Sequence, residues 1–115
     1  MECSEMRKLY KESMKITEDN TKKAADQIYD YVMKVLTHDF GRGNYYGEFE
    51  IDVLNLIKQG TEFSLDSIYW TRVCTILTEK FRSEHYLATA YTEGGTGKVV
   101  ISGWADDSRW MEGWK

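Results

Sequence analysis

The strongest pattern in the chain is a four-residue apolar repeat between Ser64 and Tyr86. Tyr69, Val73, Leu77 and Phe81 recur at that spacing with Leu65 and Ile76 beside them, which lays one apolar side along a helix. The opposite side carries Ser67, Thr71, Arg72, Thr75, Thr78, Glu79 and Arg82. The spacing predicts one helix over 64–85, N-capped by Ser64, with a wide buried face and an outer face of hydroxyls and guanidiniums.

Two stripes precede it. In residues 4–16, Met6, Leu9, Tyr10 and Met14 share a face among lysines and glutamates. Ser4 is placed to cap that helix and Glu5 to meet its dipole, so a short, peripheral amphipathic helix is predicted. Residues 17–21 (Thr-Glu-Asp-Asn-Thr) are cap-type residues without an apolar anchor and predict an interruption. Ala24/Ala25, Ile28, Tyr31/Val32 and Val35/Leu36 then predict a second helix over 21–38, ending before Gly41-Arg42-Gly43-Asn44.

Residues 45–60 fit two periods. Phe49, Ile51 and Val53 alternate as a strand does, while Phe49, Val53, Leu54, Leu56 and Ile57 fit a helix closed by Gly60. A helix over 48–59 is the preferred reading, with an extended first half as the alternative. Beyond Phe81 the period becomes two. Runs 86–92 and 98–104 flank Glu93-Gly-Gly-Thr-Gly97 and predict a β-hairpin. Trp110 and Trp114, one helical turn apart, predict a short terminal helix in the Trp-rich tail 105–115.

The expected fold is therefore α+β: three to four helices followed by a C-terminal β-hairpin, in one domain spanning 1–115. Over roughly 21–104 this element order resembles winged-helix domains. The chain departs from that layout where the short strand between the first two helices is not evident, and where the hairpin carries one lysine, Lys98, instead of several basic residues. The resemblance implies recognition through the central helix and the hairpin.

Composition narrows the reading. A length of 115 residues supports a single core, and 42% hydrophobic residues are enough to fill it. Proline is absent, so boundaries rest on glycine and caps alone. The net charge of −4 is spread out. Residues 1–40 hold eight acidic and seven basic side chains, 41–63 hold four and two, and 64–85 hold three of each. No basic block exists of the kind that neutralises a row of phosphates, which argues against nonspecific nucleic-acid affinity. Two cysteines, Cys3 and Cys74, read as reduced thiols, the latter on the edge of the central apolar face. The N-terminus lacks the apolar core of a signal peptide, and no run reaches membrane-span length. A soluble, cytoplasmic protein is expected.

Candidate chemistry is sparse. Gly94-Gly-Thr-Gly-Lys98 resembles a phosphate loop, but Thr92 stands where its first glycine belongs and Val99 where its Ser or Thr belongs. A hairpin turn accounts for the glycines. His38, His85, Cys3 and Cys74 form no local ligand pair, so neither metal nor cofactor is expected. Asp39, Glu48, Glu50 or Asp52 with either histidine would make an acid–base site only if a cleft joined them, and a solvated acidic edge is the default. The expectation is a non-enzymatic protein.

Two binding surfaces remain. In the first, Asp39, Glu48, Glu50 and Asp52 join Tyr45, Tyr46, Trp110 and Trp114 to engage another protein. Such an acidic face could imitate a phosphate row and block a nucleic-acid-binding protein, as an inhibitor encoded by a virus or mobile element would. This stoichiometric protein-binding role is the first expectation. In the second, Thr71, Arg72, Thr75, Thr78, Arg82 and Lys98 read duplex DNA, making the chain a sequence-specific transcriptional regulator. That reading carries dimerisation through the N-terminal helix with it, whereas the first allows a monomer. No membrane partner is expected.

Overall fold

The computed structural model describes residues 2–44, 47–93 and 96–104. The hairpin tip Gly94–Gly95 and the predicted helix around Trp110 and Trp114 lie outside the described residues.

The chain opens with one helix, α1, running Cys3–Gly41. The interruption predicted at 17–21 does not occur. Thr17 Oγ1 donates to the Ser13 carbonyl (2.9 Å) and Thr21 Oγ1 to the Thr17 carbonyl (2.6 Å), so the cap-type side chains bond back into the preceding turn. The N-cap position falls at Glu2, with Ser4 already inside the helix. Thr21, Ala24, Ala25, Ile28, Val32 and Leu36 are buried, and every described residue before Thr17 is exposed. Only the C-terminal part of α1 therefore belongs to the body.

Residues 48–59, read as helix, divide into two elements. Strand β1 is Glu48–Asp52 and helix α2 is Val53–Gly60. The alternation of Phe49 and Ile51 prevails because that edge pairs with a later strand and buries Ile51. Asp52 ends the strand and starts the helix, its Oδ1 accepting from Asn55 N–H at 3.2 Å. Gly60 is the last helical residue, not the one beyond the cap.

The stretch 64–85 is also not one helix. A 3-10 turn, Leu65–Ser67, is followed by extended Ile68 and Tyr69, and helix α3 is Trp70–Ser83. Ser64 makes no side-chain cap; instead Ser67 Oγ donates to the Ser64 carbonyl (2.9 Å). The break is held from α1: Tyr69 N–H donates to Thr21 Oγ1 (3.0 Å), Asn20 Nδ2 donates to the Ser67 carbonyl (3.4 Å), and Ile68 is buried. Leu65 and Tyr69 thus leave the apolar stripe, and Tyr69 is 40% exposed. Val73, Cys74, Leu77 and Phe81 keep it, all buried.

The hairpin is present as β2, Leu87–Glu93, and β3, Thr96–Ser102. With β1 it forms a three-stranded antiparallel sheet of order β1-β3-β2, with Ile51 opposite Val99 and Ala88 opposite Ile101. Those four residues face inwards and pack with Leu77 and Phe81 of α3 and the C-terminal half of α1. Phe81 sits at the centre, its ring 4.9 Å from Tyr29 and 5.6 Å from Tyr86. Trp104 closes one end against Phe40 (5.8 Å) and Tyr86 (6.2 Å). The architecture is α+β, and the order α1-β1-α2-α3-β2-β3 supplies the strand that the winged-helix resemblance required. It departs from that layout in the long connection 61–69 and in the length of α1.

Candidate functional site

Two surfaces compete, and the structure treats them differently. The acidic one lies on the outer face of β1, where Glu48, Glu50 and Asp52 alternate away from the core. Two of the three have local work. Asp52 caps α2. Glu50 accepts from Lys98 Nζ of β3 (2.9 Å) and from Tyr91 Oη of β2 (2.7 Å), tying all three strands across the exposed face. Hydrogen bonds from Lys98 first and Tyr91 second hold the Glu50 carboxyl below its ordinary range. Asp39 lies in the last turn of α1, its carbonyl accepting from Arg42 and Asn44 N–H. Tyr45, Tyr46, Trp110 and Trp114 lie outside the described residues.

The second surface is the side of α3 turned from the core. Thr71, Arg72 and Thr75 are exposed along it with Glu79 and Arg82. Thr78 is not among them. It is only 7% exposed, and its hydroxyl donates to the Cys74 carbonyl (2.8 Å). Arg82 Nε donates to the Ala88 carbonyl (3.0 Å), fastening the end of α3 to β2. Lys98 lies on the outer face of the sheet with Glu50, away from the helices. The set Thr71, Arg72, Thr75, Thr78, Arg82 and Lys98 is therefore only partly brought together.

The structure adds a groove that the sequence alone did not reveal. Between α3 and β2, Trp70, Thr71, Cys74 and Thr75 face Ala90, Tyr91, Thr92 and Gly97 around a depression of about 320 Å³. It continues past Thr75, Glu79 and Arg82 to Thr89 and Ala90. Gly97 makes the close approach possible, because a Cβ there would come within 2.7 Å of the Trp70 ring and 2.8 Å of Cys74 Sγ. The signal was present in the small inward residues of Leu87-Ala-Thr-Ala90: alanines at 88 and 90 leave room beside the helix. Cys74 lines the groove as a buried thiol whose pKa burial pushes up, a poor nucleophile at neutral pH. Among the described residues, no three His, Cys, Asp or Glu side chains gather in a way that could hold a metal ion. No described helix is long and apolar enough to cross a membrane.

Compared with protein families, curated proteins and solved structures, the chain matches none.

Proposed function

We propose that this chain is a DNA-binding protein that presents the outer face of α3 to the major groove, with the β2–β3 hairpin alongside. The observation that supports it is the exposed row of Thr71, Arg72 and Thr75 on α3, with the β1-β3-β2 sheet packed against that helix's buried residues. Arg72 and Thr71 stand in the first turn of α3, the end from which a recognition helix reaches base edges. Arginine to guanine and threonine to a thymine methyl are the pairings this chemistry favours. A fold alone does not fix function, so the weight rests on these side chains.

The test is fluorescence anisotropy on sequences selected from a random duplex pool. Arg72→Ala lowers affinity for the preferred sequence about tenfold or more, the 1–3 kcal/mol of one bidentate base contact. No selected sequence and no binding at low salt would refute the reading. A second reading keeps support from the carboxylate row on β1 and the net charge of −4: a protein partner with a basic surface, which an inhibitor of a nucleic-acid-binding protein would engage. Under that reading Glu48→Lys, not Arg72→Ala, abolishes capture.

A further inference from the structure

The N-terminal part of α1 stands clear of the body. Met6 (53% exposed), Tyr10 (64%) and Met14 (38%) are apolar and uncovered, with Leu9 and Ile16 on an adjoining line. Helical geometry shows where they point. Cys3, Met6, Tyr10, Met14, Thr17, Thr21, Ala24, Ile28 and Val32 follow one another at three- and four-residue steps, so they form one unbroken stripe. From Thr21 onwards that stripe is the face buried against α3 and α2. Before Thr21 the same face has nothing on it. Most helical stability in proteins comes from packing an apolar face, and these turns have that face uncovered.

We infer that the arm is the interface of a homodimer in which two copies of α1 pair antiparallel through this stripe. The body dictates the direction. In a parallel pair the two bodies would both follow Thr21 on the stripe side and would have to occupy the same space. In an antiparallel pair they lie at opposite ends, and each arm tip reaches the other copy's body where its own stripe goes under cover. An exposed aromatic waits there: Tyr69, bonded through its N–H to Thr21. Charge agrees with the direction. Arg7 and Glu18 flank the stripe on one side, and antiparallel helices bring like flanks together, so each Arg7 meets the other copy's Glu18 when Tyr10 packs against Met14. Lys11 lies on the same flank, about 20° beyond Glu18 at 3.6 residues per turn, at the outer edge of the seam. The contact is isologous and closes on itself.

Sedimentation equilibrium of the full chain is the direct test. A dimer is expected at micromolar concentration, and Tyr10→Glu/Met14→Glu converts it to monomer. These positions bury nothing in the body, so the variant retains the urea midpoint of the remaining fold. Arg7→Glu and Glu18→Arg each weaken dimerisation several-fold, and the double swap restores it. Spin labels on Cys3, the exposed thiol, report direction: antiparallel arms place them about 25–35 Å apart at 1.5 Å per residue, parallel arms within about 15 Å. A monomer at 100-fold higher concentration, or the short distance, overturns the inference. The measurement involves no nucleic acid, so it stands or fails separately from DNA recognition.

Discussion

Two single residues decide how α3 is held, one at each end. At its start, Thr21 of α1 is 1% exposed and both donates to the Thr17 carbonyl and accepts from Tyr69 N–H. Thr21→Val keeps the shape but leaves the Tyr69 N–H without its acceptor. A loss of about 1–3 kcal/mol is expected by urea unfolding, with Thr21→Ser recovering most of it. At its end, Tyr86 N–H bonds to the Phe81 carbonyl and His85 N–H to the Arg82 carbonyl, the pattern that normally places glycine in the left-handed position. Here His85 holds φ at 71°. His85→Gly relieves that strain and is expected to raise stability by about 0.5–1 kcal/mol, read as a higher midpoint at an unchanged m-value. A drop would mean the imidazole makes a contact that outweighs its backbone cost.

At the scale of elements, the sheet depends on Glu50, whose carboxylate joins β1 to both other strands through Lys98 and Tyr91. Those bonds lower its pKa below the usual 4.5, so their contribution is present above the ordinary carboxylate range and is lost as pH falls through the folded-state value. Wild type and Glu50→Gln should therefore differ in urea midpoint at pH 7 and converge towards pH 3. A constant gap would assign the effect to packing. The same scale shows what the sequence could disclose. The hairpin, the 21–38 part of α1 and the stripe Val73-Leu77-Phe81 were legible, because each carries its own period. The errors fall where a distant contact overrode a local one. Thr17 and Thr21 read as breakers until their hydroxyls are seen bonding backwards, and Tyr69 reads as helical until its N–H is found on Thr21. Strand β1 is five residues long and was outvoted by the helical period of α2 immediately after it. Of the recognition set, Thr71, Arg72 and Thr75 emerged exposed as the helix period required. Thr78 did not, since the angular width of the buried face is set by β2, which no local pattern reports.

For the whole molecule, charge placement sets what nucleic-acid binding would look like in solution. Two lysines are already committed elsewhere: Lys80 of α3 to Asp26 at 2.9 Å, and Lys98, on the outer face of the sheet, to Glu50 at the same distance. The Asp26 hydrogen bond is the main cause holding the Lys80 pKa up, so that ammonium stays charged at neutral pH. Arg72 stands on the outer side of α3, and so does Arg82, which also donates its Nε–H to the Ala88 carbonyl; Glu79 lies between them. Two phosphate contacts per copy give a salt slope of about −2, against the far steeper dependence of proteins that neutralise 6–10 phosphates. Recognition would then rest on base contacts, and nonspecific binding would vanish near physiological salt. Glu79→Gln removes the carboxylate that lies between Arg72 and Arg82 on that face. It should tighten binding to an unselected duplex about threefold at low salt, with the gain disappearing as the Debye length shrinks towards 8 Å. Equal affinities for wild type and Glu79→Gln at every salt concentration would place the DNA elsewhere on the molecule. Because Glu79 is exposed on the helix and remote from the N-terminal arm, this comparison reads the α3 face in monomer and dimer alike.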